Sequence, residues 1–368
     1  MRVLLAGHKG LPFGGLATYC ESLLTSSLKD NVALFFVETS LGGADISSRG
    51  GWRIHNYINA LQNIFRFLTA SLHTRPHVVH IMTAQMPSML KNGLIVLLAR
   101  LLGSKVIIHP HCSVQAMFSG DVGWRNRFTD FIFQRCHGIL VLSEEWLALQ
   151  DRFGKSPLCH IPNGIDLSPY LAIPRPGQSR RSKPVNVLYL GHLGAEKGIF
   201  DLLEAVRLLN DLSGMFKITL VGEPFNRQEG IEIVSLIEKY HLQEFVSVFP
   251  PEYGEEKINR LSQADIYILP SHYEGMPISI IESMAAGLPT IATTVGGITD
   301  MLVHNKTGLL VPPGNPDALA TAIRTLIHSS SSRLQMGYYA RELSRSKYDI
   351  EQIVPQLLEF YRYIESQP

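Results

Sequence analysis

The side chains in this sequence best suited to chemistry are two glutamates and a lysine. Glu274 and Glu282 enclose seven residues in Glu-Gly-Met-Pro-Ile-Ser-Ile-Ile-Glu. Glu274 follows the apolar run Ile266–Leu269, in a loop that ends at Pro277, a residue suited to a first helical turn. The pattern predicts a helix from Pro277 to Ala286, stopped by Gly287 and Pro289. Glu282 then lies on its second turn among Ile278, Ile280, Ile281, Met284 and Ala285. A carboxylate in such apolar company needs hydrogen-bond donors, which ribose hydroxyls or other protein side chains can supply. Glu274 lies at the C-terminal edge of a strand, where open α/β sheets bind ligands; its plainer role is to complement a helix dipole.

The lysine belongs to a glycine-rich turn. Gly191-His-Leu-Gly-Ala-Glu-Lys-Gly joins the strand-like run Val187–Leu190 to the helical stretch Ile199–Leu209. Lys197 can there offer an ammonium to a phosphate beside the positive end of a helix; otherwise it is a solvated loop lysine. A second such turn, Gly7-His-Lys-Gly-Leu-Pro-Phe-Gly-Gly, joins Val3–Ala6 to the helical stretch Leu16–Leu28. Gly14 and Gly15 would let the backbone approach an anion, or merely make a tight turn. The spacing is not that of the dinucleotide fingerprint, although Glu38 at the end of the next apolar run keeps a ribose-binding alternative open.

Parallel strands between helices are needed to position these residues. Val3–Ala6, Val32–Val37, Val78–Ile81, Val106–His109 and Ile139–Leu142 form one series of short apolar runs. Val187–Leu190, Ile218–Val221, Val246–Phe249, Ile266–Leu269 and Thr290–Ala292 form a second. Runs without polar alternation are the mark of strands buried on both faces. A Pro-rich, polar stretch separates the series, so the expected organisation is a first α/β domain over 1–168, a linker over 169–184 and a second α/β domain over 185–348. Apolar residues at helical spacing, Ile353, Leu357, Leu358, Tyr361 and Ile364, predict an amphipathic helix within 349–368.

With 45% hydrophobic and 18% charged residues the chain is globular, and a net charge of +1 excludes the basic balance of a dedicated nucleic-acid binder. Fifteen Lys/Arg stand against nine Asp/Glu up to Ile165, so the first half carries a positive excess suited to an anionic surface. Candidate docking residues are Arg66, Lys91, Arg100, Arg125 and Arg127 beside Phe65, Phe67, Met117, Phe118 and Trp124; their plain reading is core aromatics and solvated charges. Cys20, Cys112, Cys136 and Cys159 have neither metal-ligand nor redox spacing and read as reduced core thiols. The N-terminus reads as a strand and not a signal peptide, and no apolar run is long enough to span a bilayer, so a soluble protein at most peripherally attached is expected.

Taken together, these motifs resemble glycosyltransferase family 4, the retaining family of GT-B fold that includes bacterial polysaccharide-biosynthesis enzymes. The likeness rests on the glutamate pair and on Ala264-Asp-Ile-Tyr-Ile-Leu-Pro-Ser, Val295-Gly-Gly and Gly308-Leu-Leu-Val-Pro-Pro-Gly-Asn. In the first half it rests on Gly14-Gly15, His109-Pro-His111 and Ile161-Pro-Asn-Gly-Ile-Asp166. It implies an α/β fold of two doubly wound Rossmann-like domains facing across a cleft, with the C-terminal helix returning to the N-terminal, acceptor-binding domain. The second domain would bind the nucleotide-sugar donor. By the same likeness Glu282 would hold the donor ribose. Glu274 and the backbone of Gly275, Met276 and Pro277 would meet the transferred sugar and diphosphate, and Lys197 would neutralise the leaving group. His111 would contact the sugar, with His109 the weaker candidate, and Gly14 and Gly15 would approach donor or acceptor.

Two departures stand out. His192 occupies the place where the family usually has arginine, and Pro250-Pro251 stand where it often has glycine. The expected activity is retaining, metal-independent hexosyl transfer from a UDP- or GDP-linked sugar to a glycan or lipid-linked acceptor, in the cytoplasm or at the inner membrane face, as in bacterial surface polysaccharide synthesis. No cofactor and no metal site are expected, because no D-x-D pair was found and Lys197, His192 and helix N-termini can carry the charge. The alternatives are a nucleotide-sugar epimerase or phosphorylase on the same fold, a non-catalytic nucleotide-sugar binder, and a nicotinamide dehydrogenase resting on Glu38.

Overall fold

The protein is described from a computed structural model, which covers residues 1–10, 14–39, 54–84, 86, 88–118, 123–174 and 184–367. Residues 11–13 of the first glycine turn and 175–183 of the expected linker lie outside it. The chain divides into two compact units, Met1–Asp166 with Asp349–Pro368, and Leu167–Tyr348.

The first unit holds strands β1 (Arg2–Gly7), β2 (Ala33–Glu38), β3 (Val78–Thr83), β4 (Lys105–Pro110), β5 (Gly138–Val141) and β6 (Leu158–His160), in the order β2-β1-β3-β4-β5-β6. All adjacent strands run parallel. Val3 to Ala6 and every residue of β3 are buried, as a sheet covered by helices on both faces requires. The short strand β6 pairs Leu140 with Cys159 at the sheet edge. Its Leu-Cys-His sequence has no apolar run, which is why periodicity missed it.

The second unit repeats the plan with β7 (Val185–Leu190), β8 (Phe216–Val221), β9 (Val246–Phe249), β10 (Ile266–Leu269), β11 (Thr290–Thr293) and β12 (Gly308–Val311). Their order is β12-β11-β10-β7-β8-β9, again wholly parallel. In each sheet the direction of winding reverses once, between β1 and β3 and between β7 and β10. Ligands of doubly wound sheets bind at the carboxyl ends of strands flanking such a reversal. Both glycine-rich turns leave from these positions.

Two helix expectations change in detail. The stretch Leu16–Leu28 is broken into Gly15–Thr25 and Leu28–Asn31. At the break the Ser26 hydroxyl donates to the Leu23 carbonyl, a local bond that competes with helix continuation. Pro277 is not in the helical turn but precedes it in extended conformation, and the helix itself runs Ile278–Ala285.

The C-terminal helix Ile350–Ser366 packs within the first unit. It begins three residues before the apolar pattern because the Asp349 side chain accepts from the Glu351 N–H. Glu351 in turn accepts from the Ser27 N–H at 3.0 Å, and the buried Ile353, Leu357 and Ile364 cover the sheet. Cys20, Cys112 and Cys136 are free and buried; burial pushes the Cys20 and Cys112 thiols up to about 12, so they stay protonated.

Candidate active site in the second unit

The turn after β7 is folded back on its own sheet. The Gly191 N–H donates to Val221 and the Leu193 N–H to Glu223. The Ala195 N–H donates to the Glu229 carboxylate at 3.0 Å, and a single tight turn, Ala195–Lys197, leads into the helix Ile199–Arg207. Between them Gly198 has φ +67, and a Cβ there would stand 1.9 Å from the Pro270 carbonyl oxygen. Only glycine allows this approach, which brings the turn after β7 against the loop after β10. A backbone bond from His272 N–H to the Glu196 carbonyl, 2.9 Å, fastens the two loops further.

This fastening brings Lys197 and Glu274 together. The ammonium lies 2.6 Å from Glu274 Oε1, with the two side chains 23% and 11% exposed. The Ser271 hydroxyl donates to the same oxygen at 2.8 Å, while the Ser271 carbonyl accepts from Thr293 Oγ1 at 2.5 Å. The Gly275 carbonyl accepts from Gly297 N–H at 2.7 Å, which fixes the Gly275–Pro277 backbone. The helix that follows has neither a side-chain cap nor an acidic residue in its first turn. Its leading N–H groups thus give the loop an anion-favouring end beside a lysine.

Glu282 is 3% exposed, and its carboxylate is engaged by protein donors. Oε1 accepts from the Tyr170 hydroxyl at 2.7 Å and from Lys257 Nζ at 2.5 Å. Lys257 belongs to the helix Gly254–Gln263 and lies 5.7 Å from the centre of the Tyr170 ring. Tyr170, a residue of the expected linker, comes from the short helix Ser168–Leu171. That segment is held on the second unit by Arg341, whose guanidinium donates to the carbonyls of Ile173, at 3.0 Å, and Leu171. Sequence reasoning missed Tyr170 and Lys257, which lie 112 and 25 residues from Glu282 and carry no motif. Ser271 stood within the Leu-Pro-Ser motif, but nothing in the sequence assigned it a role.

His192 stacks on Phe225, with ring centres 4.9 Å apart and planes at 27°. Its carbonyl accepts from the Tyr189 hydroxyl at 2.5 Å. Packing of the imidazole on an aromatic ring is a use that arginine-for-histidine reasoning did not foresee.

These positions lie inside a family pattern. Residues 175–343 match the family described as "Glycosyl transferases group 1", and residues 13–169 match "Glycosyltransferase Family 4". Each half of the chain is thus similar to a glycosyltransferase family model. A similar protein, the putative colanic acid biosynthesis glycosyltransferase WcaL of Escherichia coli K12, is 26% identical over 231 residues, 60% of this chain and 53% of that protein. The chain spans about half the length of the curated relatives it matches. Among solved structures, sucrose-phosphate synthase (tll1590) from Thermosynechococcus elongatus aligns with a TM-score of 0.79 at 21% identity, over 99% of both chains. Anabaena Alr3699/HepE in complex with UDP aligns with a TM-score of 0.76 at 16% identity, over 99% of this chain and 100% of that one. The fold is therefore GT-B, as the sequence likeness implied.

In the first unit, Gly14 is exposed in extended conformation at φ −120, just before the helix Gly15–Thr25. A Cβ at Gly14 would meet nothing within 4 Å, so the backbone itself does not demand glycine there. His111 follows β4, where its N–H donates to the Thr83 carbonyl at 2.7 Å. Its ring lies 4.1 Å from that of His109 and 5.1 Å from that of Tyr19. Its Nε2 is buried and has no hydrogen-bond partner among the described residues, and burial, then His80, lowers its pKa to about 3. His109 lies deeper: its Nδ1 is 3.1 Å from His80 Nε2, and His80 Nδ1 is 2.6 Å from the Tyr361 hydroxyl. Of the two histidines, His109 is fully buried and His111 partly exposed. Glu38, the residue on which the dehydrogenase alternative rested, accepts from the Lys9 N–H at 2.8 Å and lies 3.3 Å from His8 Nδ1. It thus ties down the first glycine turn.

Proposed function

We propose that this protein transfers a sugar from a UDP- or GDP-linked donor to a glycan or lipid-linked acceptor, with retention at the anomeric carbon and without a metal. The reading rests on one observation above all, the Lys197–Glu274 ion pair at the winding reversal of the second sheet, beside an uncapped helix start. A departing nucleoside diphosphate needs two negative charges stabilised. A lysine and fixed N–H dipoles do this without reorganising during the reaction. Before the donor arrives, Glu274 compensates the partly buried ammonium; the diphosphate then competes for it.

In the proposed reaction the bond between the anomeric carbon and the β-phosphate oxygen breaks, and its electron pair leaves with the diphosphate. The acceptor hydroxyl attacks the same face of the sugar, and its proton passes to the departing phosphate oxygen. Glu282 holds the donor ribose, and Gly275, Met276 and Pro277 border the diphosphate through their backbone. We assign acceptor handling to the first unit, where Gly14 and Gly15 open a helix at a strand end and His111 offers a neutral imidazole to a sugar hydroxyl. The cytoplasm, and bacterial surface polysaccharide synthesis, are the setting this reading favours, in keeping with the relative named for colanic acid biosynthesis.

The test is a donor screen by thermal shift against UDP-, GDP-, ADP- and TDP-sugars, since a bound donor raises apparent stability. Transfer assays with the stabilising donor follow, on Lys197→Ala and Glu282→Ala proteins whose circular dichroism is unchanged. Full activity in both variants refutes the site. Loss of activity on chelation refutes metal independence, an inverted anomeric proton coupling in the product refutes retention, and donor binding without transfer to any acceptor reduces the protein to a nucleotide-sugar binder.

A further inference from the structure

Three neighbouring helices of the first unit present large apolar side chains to solvent. In the helix Ile54–Thr74, Leu61, Phe65 and Leu72 are exposed on one stripe, the first two at 67% and 68%. Leu101, at 82%, closes the helix Ser88–Leu101, and Trp124 and Phe131 stand seven residues apart on Gly123–Phe133. The middle helix packs against both of the others, so the three stripes share one side of the sheet. Half of the large hydrophobic side chains exposed among the described residues fall between Tyr57 and Phe131. A patch of this kind marks an interaction surface.

Charge identifies the partner. Between Ile54 and Phe118 the sequence has no Asp or Glu and five Lys or Arg. On the third helix the one acidic residue, Asp130, is neutralised by Arg152 at 2.6 Å. Two of the exposed aromatics carry a guanidinium, Arg135 at 3.4 Å from the Phe131 ring centre and Arg125 at 5.7 Å from that of Trp124. Exposed arginines at Arg66, Arg100 and Arg127 complete the set. Aromatic and aliphatic tips interleaved with cations, and free of acids, fit the interface of an anionic bilayer, where apolar burial and headgroup attraction add.

The structure also changes which residues can take part. Phe67 and Met117 are buried, and Phe118 packs beside Trp146 and Phe153 with Arg152 over its ring. Lys91 is turned inward: its ammonium donates to the Thr39 carbonyl, and burial lowers its pKa to about 8 although Glu38 opposes this. Leu61, Leu72, Leu101 and Phe131, absent from the sequence-based set, replace them. We propose that this three-helix face docks the protein on an anionic membrane surface, with Leu61, Phe65 and Trp124 inserting among the headgroups.

Sedimentation of the full chain with vesicles of phosphatidylcholine alone, and of phosphatidylcholine mixed with phosphatidylglycerol, tests this at low and high salt. The protein is expected to bind the anionic vesicles at least ten-fold better, and to bind them less well as salt rises. Leu61→Asp with Phe65→Asp should lower partition at least ten-fold. Arg66→Glu with Arg127→Glu should lower it by a factor of about five or more per arginine. All four side chains are exposed, so melting temperature and circular dichroism should be unchanged; should the apolar pair fail to fold, the arginine pair decides. Equal binding to neutral vesicles, no binding to either, or wild-type binding by the folded variants overturns the proposal. So does a dimer in analytical ultracentrifugation that Leu61→Asp with Phe65→Asp disperses, which would make the face a contact between two copies of this chain.

Discussion

The two units place a glycine-rich turn at the same point of the same topology, after the first strand and beside the winding reversal, yet they arm it differently. In the second unit the turn after β7 is locked to the β10 loop by Gly198 and presents a charged pair, Lys197 with Glu274. In the first unit the neighbourhood of β3 and β4 presents neutral aromatic and imidazole groups, His80, His109, His111 and Tyr19. Burial keeps those imidazoles uncharged: the pKa of His80 falls to about 3, and that of His109 falls well below its usual value. A shared backbone plan thus fixes where the strand ends and glycine turns converge, and the side chains beyond the strand ends decide whether charged or neutral groups stand there.

Breaking the charged side should have the largest effect. Lys197→Ala is expected to lower kcat/KM about 10²–10³-fold, as for removal of one preorganised donor to developing negative charge. His192→Ala should cost less than about ten-fold, because its ring is occupied with Phe225. Steady-state kinetics with the identified donor measures both, and the reverse order would show that the wrong cation was chosen.

The glycines sharpen the contrast next. Gly198→Ala forces a side chain into a left-handed backbone and against the Pro270 carbonyl, and should cost more than about 2 kcal/mol in denaturant unfolding. Gly14→Ala, in open space, should cost under about 1 kcal/mol. A Gly14→Ala protein that keeps its stability yet loses transfer would mean the missing Cβ serves a ligand. Equal destabilisation by the two changes would end the distinction.

The neutral side makes a prediction about pH. A histidine whose folded pKa is depressed binds its proton more readily unfolded, so its contribution to stability is fully present above the unfolded pKa near 6.5. It is lost as pH falls from there toward about 3, the folded value of His80 and His111. Each such group should contribute a slope of about 1.4 kcal/mol per pH unit in that window. Urea titrations at stepped pH should therefore steepen below pH 6.5, and His80→Gln should flatten the slope; an unaltered slope would mean that the imidazole is not held neutral.

The last comparison concerns the support of Glu282, within the second unit. Tyr170→Phe removes one hydrogen bond to a buried carboxylate and should weaken nucleotide binding about three- to ten-fold by calorimetry. Lys257→Met should do more, since it leaves the carboxylate without its ion pair. Unchanged affinity in both would show that Glu282 is held for structure alone.

Much of this was legible from residue order. Ten of the strands announced themselves as apolar runs, because a strand covered on both faces has no polar positions to spare. The edge strands β6 and β12 were missed, β6 being three residues of mixed character and β12 a short run that opens on glycine. The lysine, the glutamate pair and the glycine turns were legible because each sits beside its strand or helix in sequence. Tyr170, Lys257, His80 and Tyr361 were not, since their partners lie 25 to 281 residues away. The exposed three-helix face was only half legible: amphipathic spacing tells that a helix has two faces, but Phe65 and Phe67 differ in exposure through packing alone.

Taken alone, then, the order of amino acids determined the parallel sheets, the turns at their ends and the residue types offered there, because burial and backbone preference act over a few neighbours. Tertiary structure decided which donors hold Glu282, that Lys197 pairs with Glu274, that His192 stacks, and which aromatics remain in water. Those outcomes depend on side chains brought together by sheet order and loop closure, which no local pattern encodes.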